Sequence, residues 1–191
     1  TLWHTLSLHD ALPICGQIHW VTPKVLASLQ SPVLLDTERK ITEKGLEKIS
    51  SGLLPKGTLL LSSRAPIGYL AIAEIPVAIN QGFIGMICDK ALSNHYVMHW
   101  TRQNMEIIKS RANGTTFLEI AKSNFRPIPL VIPHPEILEK FTKKAESLHR
   151  KAANNIQESQ TLANIRDTLL PKLMSGEIRV KEAEKQIELS L

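Results

Sequence analysis

The side chains best suited to recognition chemistry stand beside turn formers. Arg64 follows the apolar run 59–61 and precedes Ala65-Pro66, so a rigid turn should hold its guanidinium at the end of a strand. The planar fork of arginine suits a phosphate or the edge of a guanine. Asn80-Gln81-Gly82 puts two amides on a turn where backbone can approach a ligand closely. An amide pairs bidentately with adenine, and amides also cap turns, so both roles stay open. Lys109, Arg111, Asn113, Thr115 and Thr116 form a third cluster, of the types that commonly anchor phosphates and that also occupy solvated helix ends.

Reactive chemistry is harder to find. His95 and His99 lie four apart on an expected helix and could face one metal ion, which makes a small metal-dependent nuclease or hydrolase the rival function. Tyr96, Val97 and Met98 between them supply no acidic ligand or base, so surface or half-buried histidines are the plainer reading. Cys88, inside the apolar run 83–88, reads as a small core side chain rather than a nucleophile. The sequence has no phosphate-binding G-x-x-x-x-G-K-[ST] loop, no G-x-G-x-x-G, no G-x-S-x-G and no H-E-x-x-H. Neither a catalytic residue, a metal nor a cofactor of the chain's own is expected.

Positioning these groups requires strands and helices in irregular order. Strand-like runs at 58–62, 69–73 and 83–88 are separated by Pro55-Lys56-Gly57 and Pro66-Ile67-Gly68, and a last strand is expected at 128–132. Helices are expected over 42–49, with Thr42 as N-cap, and over 93–112, with Gly114 just past the end. Without regular alternation this is an α+β domain around a small twisted sheet, spanning residues 16–135. From Pro135 the chain is free of Gly and Pro up to Leu170, which predicts one long spacer helix over 136–175, ended or kinked by Pro171. Leu138, Phe141, Ala145, Leu148, Ala152, Asn155, Ser159, Leu162, Arg166, Leu169 and Leu173 recur at steps of three and four, the period of a coiled-coil seam. A helix folded back onto its own sheet is the alternative. A short strand at 177–180 and a frayed tail complete residues 176–191. Residues 1–15 have neither the cationic start nor the apolar core of an export signal and read as a non-native or disordered segment, like translated adapter sequence.

Composition sets the class. Apolar residues at 43% and charged residues at 21% of 191 are globular proportions, enough for one domain and an appendage. No apolar run approaches the roughly 18 residues of a membrane helix. Cys15 and Cys88 lie far apart with no zinc-like spacing, which fits a reducing cytoplasm. Of the net charge of +5, residues 16–135 carry 13 basic and 8 acidic side chains, so the surplus sits on the domain and favours a polyanionic partner.

Several runs carry a family resemblance: ITEKGL from Ile41, LPKGTLLLSSRAPIG from Leu54, NQGF from Asn80, NGTTF from Asn113, PIPLVIP from Pro127 and LANIRDTLLPKLMSGEI from Leu162. In this order they resemble the target recognition domain and conserved helix of type I restriction-modification specificity subunits, with coverage from about Gly16 to Val180. Where this chain has Pro133-His134-Pro135-Glu136, the family often has Pro-Pro followed by an acidic-Gln pair. The resemblance implies a non-catalytic subunit that reads double-stranded DNA for a methyltransferase and endonuclease complex. It implies that methyltransferase (modification) subunits dock on the helices and bind S-adenosylmethionine, that a restriction/translocase subunit joins through the complex, and that a second recognition half is supplied in cis or by dimerisation. Arg64, Asn80, Gln81, Lys109, Arg111, Thr115 and Thr116 then become the candidate DNA-contact set. A helix-mediated assembly module without DNA contact is the third reading.

Overall fold

Apolar side chains on both faces of the runs LLLS, LAIA and VAI leave them no wet side, so they form strands covered above and below. The computed structural model of the chain describes residues 14–64, 66–114 and 118–188. Two compact units are found, Thr1–His149 and Arg150–Leu191.

In the first unit two small sheets replace the single expected one. The first has the order β3-β1-β6, built from β1 (Ile14–Val21), β3 (Lys40–Ile41) and β6 (Val77–Ile79). Strand β1 runs parallel to β6 and antiparallel to β3, with a register shift between Ile14 and Ile18, both opposite Ile41. Gly16 occupies that irregularity because a Cβ there would lie 1.8 Å from the Ile41 carbonyl oxygen. The strand therefore starts inside the segment the sequence set aside as non-native; residues 1–13 lie outside the described residues. The second sheet has the order β2-β5-β4-β7, from β2 (Val33–Leu34), β4 (Leu59–Ser62), β5 (Leu70–Ala73) and β7 (Phe83–Met86). Strand β4 pairs antiparallel with both β5 and β7, and Leu59, Leu60 and Leu61 are fully buried.

Short helices surround the sheets: α1 (Pro23–Ser28), α2 (Glu43–Glu47), α3 (Asn94–Gln103), α4 (Met105–Ser110) and α5 (Lys122–Phe125). Thr42 caps α2 as expected, its Oγ1 accepting from the Gly45 amide. The single helix expected over 93–112 is two, because Asn104 leaves the helical region at φ −98° and its Nδ2 donates back to the Trp100 carbonyl at 2.8 Å. The expected strand 128–132 is absent. Pro129 removes one of its amides and Ile128 donates its own to the Phe125 carbonyl at 3.1 Å, while Val131 and Ile132 are exposed and the Val131 carbonyl accepts from Tyr96 Oη at 2.6 Å.

Helix α6 (Pro135–Ser175) starts where the sequence placed it. Within the first unit its opening turns meet α3: the Phe141 ring stands edge-on to Tyr96 and His99, and the Thr142 and Ser93 hydroxyls are 2.9 Å apart. The half-buried face there is Leu138, Phe141, Thr142, Ala145 and His149, whereas Leu148 of the expected seam is 70% exposed. Over these turns, packing on the chain's own domain has won over the heptad register.

In the second unit α6 continues through Pro171, which neither ends it nor starts a new element, at the cost of the bond an amide at 171 would donate to the Asp167 carbonyl. Gly176, at φ +75°, closes the helix as Glu177 donates its amide to the Lys172 carbonyl at 3.0 Å. The expected short strand and tail are instead α7 (Val180–Glu188). The Glu182 carboxylate accepts from the Arg179 amide at 2.9 Å in a capping arrangement, and Ala183 is buried. Residues 189–191 lie outside the described residues. Among the described residues no helix is long and apolar enough to cross a membrane.

Candidate nucleic-acid interface

Pairing of β4 with β7 determines which loops meet. Beyond Ser62 the ladder continues one step, the Ser63 amide donating to the Gly82 carbonyl at 2.8 Å, so Arg64 emerges beside the turn 80–82. A Cβ on Gly82 would sit 3.1 Å from Asn80 Oδ1, 3.3 Å from Pro23 Cγ and 3.5 Å from Arg64 Nε. The tight neighbours are Asn80 and Pro23, and the Arg64 guanidinium lies against the same turn at ordinary contact distance. Arg64 is 35% exposed and 3.8 Å from Glu119, itself 45% exposed. So long and wet a pair is worth less than about 1 kcal/mol and leaves Arg64 available to a stronger anion.

The two amides separate in role. Asn80 Oδ1 accepts from the Gly82 amide at 3.0 Å, closing the turn, which takes one of its two lone pairs and fixes the side chain in place. Gln81 is exposed and keeps both groups. Gln81 and Asn80 line a cleft of about 410 Å³ with Trp20, Ile79 and Phe83 of the strands, Lys48 to Ser51 after α2, and Lys122 of α5. None of the lining residues is acidic.

Asn113 and Glu119 exchange backbone hydrogen bonds, each at 2.9 Å, and Glu119 also bridges to Arg64. The loop they close carries Thr115 and Thr116, which lie outside the described residues. Arg111 caps α4 two residues earlier, its carbonyl accepting from Asn124 Nδ2. Lys109 stands on the exposed face of α4, 3.8 Å from Glu106. The structure thus brings Arg64, Asn80 and Gln81 together, links them through Glu119 to the Asn113 loop, and shows no contact of Lys109 with the cleft. Sequence reasoning missed Lys48 and Lys122. Each is an ordinary lysine in its local sequence, and only the fold makes them neighbours of Gln81.

The histidine pair has a different purpose. His95 is buried, its ring 5.0 Å from that of His149, while His99 points at Phe141. His149 Nε2 donates to Glu74 Oε1 at 2.9 Å, and Lys56 reaches the other carboxylate oxygen at 3.0 Å. Burial pushes the Glu74 carboxyl up, yet the hydrogen bonds from Lys56 and His149 outweigh it and hold Glu74 below its ordinary value. Burial, followed by His149, holds His95 below its ordinary value against the opposing pull of Glu146 and Glu74. Among the described residues no group of three or more His, Cys, Asp or Glu could hold a metal ion. Burial pushes the half-buried Cys88 thiol up, with Asp89 adding to the push, the opposite of what a nucleophile needs.

An α+β domain with Arg64 and the 80–82 turn meeting at one sheet rim, running on into a long helix, is the class that fold and site define. Residues 15–162 match the family model of the type I restriction modification DNA specificity domain, and the chain belongs to that family. It is 35% identical over 152 residues to the type I restriction enzyme MjaIX specificity subunit of Methanocaldococcus jannaschii, covering 78% of this chain and 35% of that one. To the HindI specificity subunit of Haemophilus influenzae it is 29% identical over 148 residues, 76% and 32% of the two chains. The crystal structure of the type I restriction-modification S subunit from M. genitalium shares the fold, with a TM-score of 0.52 at 18% identity over 87% of this chain and 44% of that one. The chain spans about a third of the length of the curated relatives it matches.

Proposed function

We propose that this domain reads one half of a split DNA site for a type I restriction-modification complex and performs no reaction itself. The observation that carries the reading is the meeting of Arg64, Asn80 and Gln81 on one rim beside a cleft with no acidic lining, in a chain of the specificity-domain family. Lys109, Arg111, Thr115 and Thr116 complete the contact set. The complex acts in the cytoplasm. The exposed face of α6 docks methyltransferase subunits, which bind S-adenosylmethionine and must flip their target base out of the duplex. The restriction subunit joins through them. The second recognition half comes in cis from a longer chain or from a second copy, through the part of the expected seam not packed on the domain, around Leu148, Ala152 and Leu162.

Selection from a random duplex pool with the 191-residue chain tests this directly. The expected result is enrichment of a short sequence, with log affinity falling by about 0.9 per neutralised phosphate against log salt. A pool that stays random, with no salt-sensitive retention, would leave only the assembly module. Plasmid cleavage by the chain alone with a divalent metal would contradict the reading outright.

A further inference from the structure

Within that DNA-reading function, which the following rests on, the cleft beside Gln81 has chemistry of its own. We propose that it seats the sugar-phosphate backbone of one DNA strand, with Lys48 and Lys122 on its phosphates, Gln81 reaching the neighbouring base edge and Asn80 acting as a positioning residue.

Size excludes a whole duplex: about 410 Å³ is the scale of a small-molecule site, which a short stretch of a single strand fills. Charge selects an anion. Lys48 caps the end of α2, Lys122 opens α5, both are exposed, and neither forms a salt bridge among the described residues. Ser50 adds a hydroxyl to the lining, while that of Ser51 donates to the Ile79 carbonyl at 3.4 Å. The walls also argue against an unstacked base. Trp20 and Phe83 line the cleft but are only 4% and 3% exposed, packed into separate core clusters, and so present no open ring for stacking. Base reading then falls to Gln81, the exposed amide that no bond holds among the described residues, while Asn80 is half-buried and fixed by the bond its Oδ1 accepts from Gly82.

The test uses the duplex selected by the wild-type chain and a scrambled control. Lys48→Ala and Lys122→Ala are expected to weaken both duplexes by the same factor and to lower the salt slope by about 0.9 each. Gln81→Ala keeps the slope and loses roughly five- to 150-fold discrimination at one base pair. Asn80→Asp, whose carboxylate still accepts from Gly82, keeps the base preference that Asn80→Ala loses. Both lysines are exposed, and unchanged melting curves confirm that their variants fold. A wild-type chain that selects a sequence while the lysine variants keep its full salt slope overturns the strand assignment and leaves the DNA-reading function intact. Enhanced fluorescence of 2-aminopurine placed in the site would overturn it in favour of an extruded base. If the wild-type chain selects no sequence, both readings fall together.

Discussion

Arg64 shows how much one residue's surroundings decide. Its type and its place before Ala65-Pro66 already suggest an anchored guanidinium, and the structure adds the turn it lies on and the acid it touches. Because the Glu119 pair is long and exposed, replacing it with a phosphate or base edge costs little, and Arg64→Ala should weaken binding to the selected duplex by roughly tenfold, or about 1.4 kcal/mol. Titration against selected and scrambled duplexes separates the two roles: an equal loss on both marks a phosphate contact, and a loss confined to the selected one marks base reading. Unchanged affinity and preference would remove Arg64 from the interface. Asn80 and Gln81 were equally legible as residue types, but their division of labour was not. Only the hydrogen bond to Gly82 tells the turn-closing amide from the free one.

Elements were read best where the local signal and the tertiary packing agree. The three leucines of β4, the Thr42 cap and the Pro135 start were visible because each is a local feature. The break at Asn104 and the loss of the 128–132 strand were signalled only weakly, by one amide and one proline, against stronger apolar periodicity. Nothing local marked β6 or the two-residue strands, whose pairing comes from distant partners. The contact of α6 with the domain is likewise tertiary, and it makes a pH prediction. His95 is held below its ordinary 6.5 and Glu74 below its ordinary 4.5, so for both the unfolded chain binds more protons. Each group's stabilisation is therefore present above its ordinary value and lost as pH falls through its lower folded value. Around His95 stand His149 and Glu146 of α6, His99 of α3, and Glu74 with its partner Lys56. Melting temperature should drop as pH falls from about 7.5 to 5, with the fall above pH 5 reduced in His95→Phe to the part owed to His19, which burial also holds below its ordinary value, and the fall below 4.5, owed to Glu74, retained. A wild-type melting temperature that does not change over that interval would remove His95 from the pH response.

At the scale of the whole chain, the cationic surplus on residues 16–135 favours attraction of a polyanion to the domain, and under the proposed function the helix, of mixed charge, is left to choose partners. A chain spanning a third of its relatives must obtain its second half-site from elsewhere under the proposed function. If the source is a second copy, the surface that pairs must be apolar and unused, and of the exposed apolar side chains of α6, Leu148 at 70% and Leu162 at 47% are the two on the expected seam. The alternating small and polar positions Ala152, Asn155 and Ser159 between them favour close approach at modest strength. Leu148→Glu with Leu162→Glu should therefore abolish any self-association seen by sedimentation equilibrium and leave selection of the half-site from a duplex pool unchanged, since neither leucine lies near the Gln81 cleft in sequence or among its lining residues. A wild-type chain that sediments as a monomer at every concentration while still selecting its sequence would assign the second half to a longer chain, and the helix to the methyltransferase subunits alone.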